Sequence, residues 1–253
     1  MEQQHIASTP PRIGLLACDM IWEPLRSAHG DYADMIAAIL RAAGAEFELV
    51  TYAAHAGELP ARADECDGWI ISGSRASVYE QQAWIARLMD FSRAAFAAAV
   101  PQVGICFGHQ LLAHALGGRT EKAVNGWGLG NLELRLGAAA RVLGAEPSQV
   151  HLLMAHQDQV VVLPPGATCL AEAAHCPHAM FSIGARVLGL QPHPEFTAAF
   201  MRDMTLENAL GLDKAARDAA LASYGEPLDS PRAARWIADF LKIRPGAALT
   251  PPR

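Results

Sequence analysis

The segment VPQVGICFGHQLLAHALGG (residues 100–118) constrains the fold most, because its short apolar strand passes into a helical pattern without a loop. The junction reads GICFG (104–108), so that a cysteine lies midway between two glycines. In so sharp a turn, side chains at the glycine positions would collide with the strand and the helix. The segment therefore predicts a strand-turn-helix elbow with Cys106 at its centre.

Apolar segments typical of buried strands alternate with amphipathic helices through the first half of the chain. Strands are predicted at residues 12–18, 46–52, 68–74 and 101–106, and helices at 31–44, at 84–99 and from Phe107. In the first helix, apolar residues recur at helical spacing and Gly44 follows as a stop signal. This alternation predicts βαβ units, and therefore an α/β fold with a doubly wound, mostly parallel sheet.

The pattern changes after residue 129. NLELRL (131–136) alternates as a half-exposed strand does, and MFSIGARVLGLQPH (180–193) predicts a β-hairpin around Gly184. Residues 196–243 are predicted to be helical.

Length and composition indicate a compact soluble domain. The chain has 253 residues, of which 51% are hydrophobic and 18% are charged. Because no composition shift marks a linker, residues 12–243 are predicted to form one domain. Residues 1–11 are predicted to be a disordered N-terminal tail, and residues 244–253 a C-terminal tail.

Charge and cysteine content argue against several classes of protein. The formal net charge is −6 and no basic run is present, which argues against binding to nucleic acid or to a membrane. The first ten residues lack the pattern of a secretory signal, and no segment approaches the roughly 18 apolar residues of a membrane span. Five scattered cysteines predict a reducing, cytoplasmic location without disulfides.

Cys106 has the setting of a nucleophile. In doubly wound sheets ligands bind beyond the carboxyl ends of the strands, which is where Cys106 is predicted to lie. The helix that follows would direct N–H groups at the sulfur and favour the thiolate. The alternative for any one cysteine is a buried packing residue, and that role is predicted for Cys18, Cys66, Cys169 and Cys176, which lack this context.

A base for this nucleophile is available in GLQPHPEF (189–196). His193 and Glu195 are two residues apart, so in an extended segment both side chains point to the same side. Pro192 and Pro194 would stiffen that alignment. A nucleophile, a base and a residue that orients the base are the parts that covalent catalysis requires.

Four motifs, in chain order, resemble the class I glutamine amidotransferase domain: GICFGHQ (104–110), HQDQVVVLP (156–164), MFSIG (180–184) and QPHPEF (191–196). The resemblance covers most of the chain and is closest to the free-standing branch, which includes γ-glutamyl peptidases and is often labelled GMP-synthase-like. It implies a flavodoxin-like sheet with helices on both faces, a β-hairpin near the active site and a Cys-His-Glu triad. It implies no metal and no organic cofactor.

The resemblance also implies a reaction on a small-molecule γ-glutamyl substrate. The Cys106 thiolate would attack the γ-carbonyl and form a γ-glutamyl thioester, which water then cleaves. His193 would act as general acid and base, and Glu195 would orient it.

The same match implies the groups that surround the substrate. The loop SGSR (72–75) would supply the N–H of Gly73 or Ser74 to an oxyanion hole, joined by the N–H of Phe107. Gln110 would help to hold the glutamyl part.

Three further residues are candidates for substrate contact. Many family members have a proline where this chain has Arg75, which is either a contact for a substrate carboxylate or an ordinary loop charge. His156 and Asp158 are predicted to shape a loop near the site, with or without touching substrate.

HCPH (175–178) fits no structural zinc pattern, so a loop is favoured there over a metal site.

The leaving group decides between two enzymes. Ammonia would make the protein a glutaminase for a synthase on a separate partner chain, since no phosphate-binding loop or ATP-using domain is present. An amino acid or peptide would make it a γ-glutamyl peptide hydrolase, which the resemblance to the free-standing branch favours. The loop at 18–35 is a candidate for the segment that covers the site and selects the leaving group.

Two other classes of function stay open. One is a catalytically silent binding domain on the same fold, against which the intact Cys106, His193 and Glu195 argue. The other is a cysteine variant of an α/β-hydrolase acting on esters or lactones, which leaves Gln110 and the His-Pro-Glu segment unexplained. No pattern predicts the oligomeric state.

Overall fold

In the computed structural model, strands and helices follow one another through the described residues, which are 9–146, 148–207 and 210–243. The strands are β1 (Arg12–Leu16), β2 (Glu48–Tyr52), β3 (Gly68–Ile71), β4 (Gln102–Ile105), β5 (Arg119–Lys122), β6 (Gly128–Leu136), β7 (Gln149–His156), β8 (Asp158–Val162), β9 (Thr168–Ala173), β10 (Met180–Ile183) and β11 (Val187–Leu190). The α-helices are α1 (Leu25–His29), α2 (Tyr32–Ala42), α3 (Ala83–Ala97), α4 (Phe107–Ala115), α5 (Ala198–Leu206), α6 (Lys214–Ser223) and α7 (Ser230–Phe240). Short 3₁₀ helices cover Ala54–Ala56 and Ala138–Leu143.

A nine-stranded sheet runs through the middle of the molecule in the order β2-β1-β3-β4-β11-β10-β9-β6-β7. The first five strands in this order are mutually parallel, and the remaining four extend the sheet in antiparallel fashion. β5 and β8 pair separately as a two-stranded antiparallel sheet. The parallel strands therefore all end at one edge, where the loops that follow them meet.

The central strands are mostly apolar because both faces of the sheet are covered. β3 and β4 are fully buried. The side chains of β3 alternate between two hydrophobic clusters, whereas Val103 and Ile105 of β4 both belong to the first of them. One cluster packs α2, α5 and α7 against the sheet, and the other packs α3 and α4 against the opposite face. The predicted α/β class, with a mostly parallel sheet and helices on both faces, is confirmed.

The boundaries of α2 follow directly from its sequence. Asp31 caps the N-terminus and forms a capping box with Asp34. Gly44 follows the helix with a φ of 83°, a left-handed conformation that glycine adopts without strain. The predicted stop at Gly44 is therefore confirmed.

The hairpin around Gly184 is confirmed, since β10 and β11 pair antiparallel with a turn between Ile183 and Val187. The helical C-terminal region is confirmed as α5, α6 and α7. Four strands were not predicted: β7 and β9, which belong to the antiparallel half of the nine-stranded sheet, and β5 and β8, which form the separate two-stranded sheet. The predicted tail at 1–11 lies outside the described residues except for residues 9–11, and the tail at 244–253 lies outside them entirely.

In the part of the chain that the structure describes, none of the helices has both the length and the apolar character needed to cross a bilayer.

Candidate active site

The elbow predicted around Cys106 is present between β4 and α4. Cys106 has φ 51° and ψ −103°, a combination that non-glycine residues rarely adopt. A Cβ added to Gly104 would lie 2.4 Å from the carbonyl carbon of Gly108, and one added to Gly108 would lie 2.2 Å from the Ile71 carbonyl oxygen. Both glycines are therefore required by the close approach of the helix to the strands.

Cys106 is buried at the N-terminus of α4, and its backbone is held on both sides. Its N–H donates to the Leu190 carbonyl at 2.8 Å, and its own carbonyl accepts from the Gln110 N–H at 3.0 Å. The N-terminus of a helix directs partial positive charge at such a sulfur.

The other cysteines differ from Cys106 in their surroundings. All are free thiols, and burial raises the pKa of each, to about 12 for Cys176. A thiol with a raised pKa is a poor nucleophile at neutral pH. Their predicted structural role is consistent with these positions: Cys18, Cys66, Cys169 and Cys176.

His193 and Glu195 lie together beneath the elbow. The Nδ1–H of His193 donates to Glu195 Oε1 over 2.7 Å, and both residues are 3% exposed. The ring of Phe196 stacks on the His193 ring with centroids 4.0 Å apart and planes at 3°. With one ring nitrogen bound to the carboxylate and one face covered, the imidazole has little freedom to rotate.

The charges around His193 favour its protonated form. Burial alone lowers the pKa of His193, but the Glu195 carboxylate and the Cys106 sulfur outweigh burial and raise that pKa from 6.5 to about 10. The imidazolium therefore carries a proton next to the Cys106 sulfur.

The segment that carries these residues differs in shape from the prediction. It forms a bend and a turn after the end of β11, rather than an extended strand. Pro192 and Pro194 have no N–H to donate to a neighbouring strand, which explains why the ladder ends at Leu190. The two side chains meet because the turn brings them together.

The loop after β3 lies against the same histidine. A Cβ on Gly73 would lie 2.8 Å from His193 Cε1 and 3.3 Å from the Tyr32 hydroxyl, so this position accommodates only glycine. Within the described ranges, the N–H groups of Gly73, Ser74 and Phe107 donate no hydrogen bond to another protein atom. These three donors are available to a ligand oxygen.

A cavity of about 190 Å³ opens beside Cys106 and is called here the polar cavity. Besides Cys106, its walls are mostly polar side chains: Ser74, Arg75, Ser77, Tyr79, Gln110, Lys122, His156, Gln157 and Asp158, with Trp127 and Leu210 at its side. Charges of both signs are present, as a zwitterionic ligand would require.

Gln110 and Asp158 line this cavity and also support it. The amide nitrogen of Gln110 donates to the Asp158 carbonyl at 2.7 Å and to Gln191 Oε1 at 3.1 Å. The Asp158 carboxylate accepts from the Tyr79 hydroxyl at 2.9 Å. Gln110 therefore joins α4 to the start of β8.

His156 is also on the wall, at the end of β7, and its ring is neutral. Its Nδ1–H donates to the Asp158 carbonyl at 3.0 Å, while burial lowers its pKa to about 3. The Nε2 atom faces Gly128, where an added Cβ would lie 2.5 Å away. His156 and Asp158 thus flank the tight β7–β8 connection rather than forming a longer loop.

Arg75 is paired within the protein. Its guanidinium binds both carboxylate oxygens of Asp19 at 2.8 Å and lies 5.3 Å from the centroid of the Trp22 ring. Burial opposes ionisation of Asp19, but the hydrogen bonds from Arg75 hold its pKa below the usual value. The pair joins the loop after β1 to the loop after β3.

Several residues at this site were not predicted from the sequence. Phe196 directly follows the His-Pro-Glu segment, so an aromatic residue next to the histidine was a usable signal. Tyr79, Lys122 and Trp127 carried none, because two loops and the end of β5 supply them and these segments meet only in the folded chain. Among the described residues, no group of three or more His, Cys, Asp or Glu is placed to hold a metal ion, and HCPH forms the loop before β10.

Comparison with known proteins gives consistent matches. Residues 27–211 match the model of the family described as glutamine amidotransferase class-I. Gamma-glutamyl peptidase 4 of Arabidopsis thaliana is 30% identical over 186 residues, which cover 71% of this chain and 73% of that protein. The glutamine-hydrolyzing GMP synthase of Thermomicrobium roseum is 33% identical over 184 residues, covering 71% of this chain and 32% of that protein.

Solved structures share the fold. A glutamine amidotransferase from Thermotoga maritima aligns with a TM-score of 0.75 at 18% identity, over 93% of this chain and 100% of that chain. One from Methylobacillus flagellatus aligns with a TM-score of 0.70 at 20% identity, over 94% and 97%.

Proposed function

The chain belongs to the class I glutamine amidotransferase family, and we propose that it hydrolyses γ-glutamyl amide bonds through a thioester on Cys106. The observation that carries the proposal is the buried alignment of Cys106, His193 and Glu195 at the edge of the sheet. A strained cysteine beside a charged histidine serves nucleophilic chemistry better than packing.

In the proposed acylation step, the Cys106 thiolate adds to the γ-carbonyl carbon of the substrate. The resulting oxyanion accepts hydrogen bonds from the free N–H groups of Gly73, Ser74 and Phe107, each worth about 3 kcal/mol in comparable sites. The His193 imidazolium gives its proton to the amide nitrogen, the C–N bond breaks, and the amine leaves. A γ-glutamyl thioester remains on the enzyme.

In the proposed deacylation step, water attacks the thioester carbonyl while neutral His193 accepts its proton. The C–S bond breaks, glutamate leaves, and the thiolate and imidazolium are restored. Glu195 keeps the imidazole oriented and compensates its charge in both steps.

The polar cavity is the proposed site of the glutamyl part. Its mixed charges suit the α-amino and α-carboxylate groups that every γ-glutamyl compound carries. Gln110 and Asp158 would act there chiefly by shaping the wall, since their hydrogen bonds within the protein already fix them.

We infer that the leaving group is an amine, amino acid or peptide rather than ammonia. Support comes from relatives named gamma-glutamyl peptidases, of which this chain spans 70–75%. The second candidate is a glutaminase that releases ammonia for a separate synthase chain. The relatives named GMP synthase favour it, although the chain corresponds to only 32–36% of their length.

The test follows glutamate release by the purified chain from glutamine and from a γ-glutamyl dipeptide. We expect a higher kcat/KM for the dipeptide, and a mass increase of one glutamyl group on Cys106 after acid quenching. Cys106→Ala should lose both activity and adduct, whereas Cys169→Ala, a change at a half-buried cysteine away from the site, should keep both. Preference for glutamine would favour the second candidate. Activity of Cys106→Ala near the wild-type level would overturn the mechanism.

A further inference from the structure

A second, smaller cavity also reaches Cys106 and adjoins the polar cavity, with which it shares Ser74, Arg75, Ala155 and Leu210. Its volume is about 50 Å³, and it is called here the apolar cavity. Apart from Cys106, His193 and the edge of the Ser74–Arg75 loop, its walls are hydrophobic: Ile21, Trp22, Tyr32, Ala155, Phe196, Phe200, Met204 and Leu210. These side chains come mainly from the loop after β1, the start of α2 and helix α5.

The position of His193 distinguishes the two cavities chemically. Among the described residues, His193 lines the apolar cavity but not the polar one. When an amide is cleaved, the imidazolium must approach the leaving nitrogen within hydrogen-bond reach. The substituent on that nitrogen therefore lies on the His193 side of the sulfur, and the glutamyl part lies on the other side.

We propose that the apolar cavity is the leaving-group site, and that it selects γ-glutamyl amides whose amine carries a short apolar substituent. The inference rests on the proposed function and names its substrate class. The small volume fits a short alkyl group better than an aromatic ring. Ammonia would leave the apolar walls without a partner.

The charges around the apolar cavity disfavour a cationic leaving group. In the described part of the chain, the positive groups that line it are His193 and Arg75, and Arg75 is already paired with Asp19. No carboxylate lines this cavity in the same part of the chain. An ammonium ion placed there would lose water without gaining a partner.

The test uses amides that share the γ-glutamyl group and differ only in the amine. The informative pair is γ-glutamyl-n-propylamide and γ-glutamyl-3-aminopropylamide, which have the same chain length and differ by one terminal ammonium; glutamine is the third substrate. Because all three form the same thioester, kcat/KM reports acylation and therefore the leaving-group site. We expect the propylamide to exceed both others by about tenfold or more.

A second test introduces a negative charge into the wall of the apolar cavity and measures kcat/KM for the same amides. Trp22 is half-buried in the loop after β1, so Trp22→Glu should fold and should present a carboxylate to the apolar cavity. We expect this variant to lower kcat/KM for the propylamide and raise it for the aminopropylamide, reversing their order. The matched control is Met20→Glu, which adds the same charge two residues earlier, at an exposed side chain outside the cavity.

The outcomes separate this inference from the proposed function. Hydrolysis of all three amides with equal kcat/KM, or with preference for glutamine or the aminopropylamide, would overturn the leaving-group site while the proposed function stands. An equal change in substrate order in Met20→Glu would also overturn it, since the effect would then be long-range. Failure to cleave any γ-glutamyl amide would overturn both.

Discussion

The backbone at Cys106 is held in a conformation that costs about 1–3 kcal/mol for a residue other than glycine. Hydrogen bonds to Leu190 and from Gln110 keep it there, so that the sulfur faces His193 and both cavities. The histidine is held with equal firmness, between the Glu195 carboxylate and the stacked Phe196 ring. At this scale the site is a set of fixed positions around one sulfur atom.

The raised pKa of His193 leads to a prediction about pH. If the imidazolium donates the proton to the leaving amine, kcat/KM should stay high above pH 6.5 and fall only near pH 10, where His193 deprotonates. In Glu195→Gln the carboxylate no longer opposes burial, so the alkaline fall should move to lower pH by about 1 unit or more. The measurement is kcat/KM for a γ-glutamyl amide as a function of pH.

The variants His193→Ala and Glu195→Gln should also differ in how much activity they lose. His193→Ala removes proton transfer and should cost about 10²–10⁴-fold, whereas Glu195→Gln should cost less. An unchanged alkaline limb in Glu195→Gln, or small losses in both variants, would show that another group transfers the proton.

At the scale of elements, the active site depends on how closely α4 approaches the strands. The helix begins one residue after Cys106, and the Gly108 backbone lies against the carbonyl of Ile71 in β3. The loops after β1 and β3 are joined by the Asp19–Arg75 ion pair. Loops that follow neighbouring parallel strands thus supply the nucleophile, the free N–H groups and one wall of the apolar cavity.

The close approach of α4 predicts the effect of one methyl group. In Gly108→Ala, the new Cβ would lie 2.2 Å from the Ile71 carbonyl oxygen. Because two such atoms cannot approach so closely, either α4 or β3 must move. We expect a loss of about 1–3 kcal/mol or more in the free energy of unfolding, together with loss of activity. Urea denaturation measures the first quantity.

The matched control for this substitution is Gly225→Ala. An added Cβ at Gly225 meets nothing within 4 Å, and its φ is not in the left-handed region. We expect its stability to stay within about 0.5 kcal/mol of wild type. Equal urea midpoints for the two variants would contradict the steric argument.

At the scale of the whole molecule, the C-terminal helices are anchored to the antiparallel half of the sheet. The side-chain nitrogen of Asn131, in β6, donates to the carbonyls of Glu226 and Pro227 at 3.2 Å. Asp229 exchanges hydrogen bonds with the backbone of His151 in β7. Helix α7 also packs against α2. The C-terminal segment therefore contacts both the antiparallel half of the sheet and a helix from the first part of the chain.

Removing the hydrogen bonds of Asn131 should destabilise the fold without changing catalysis. Asn131→Ala leaves two carbonyls without their donor, and we expect a loss of about 1–3 kcal/mol in urea denaturation with kcat unchanged. Gln149→Ala, which removes an exposed hydrogen bond to Glu133, should change stability by less than about 0.5 kcal/mol. A reduced kcat in folded Asn131→Ala would show instead that this anchor shapes the site.

The parallel half of the sheet and the elbow could be predicted from the sequence, and the three residues proposed as a triad were selected from it. These features have local causes: apolar strands alternate with capped helices, glycines flank one cysteine, and His193 and Glu195 are two residues apart. The bend that carries those two side chains was not predicted, because the prolines exclude a strand there without specifying the turn.

Strands β7 and β9 of the antiparallel half, the partner of Arg75 and the walls of the two cavities could be read only from the folded chain. Arg75 pairs with Asp19, which is 56 positions away. Trp22, which follows the first strand, and Met204, which follows the last strand, line the same cavity. Short strands such as β8 and β9 are stabilised by pairing with β5 and β6, which are distant in sequence, rather than by their own periodicity. Contacts of this kind arise from the packing of separate segments, and no local pattern encodes them.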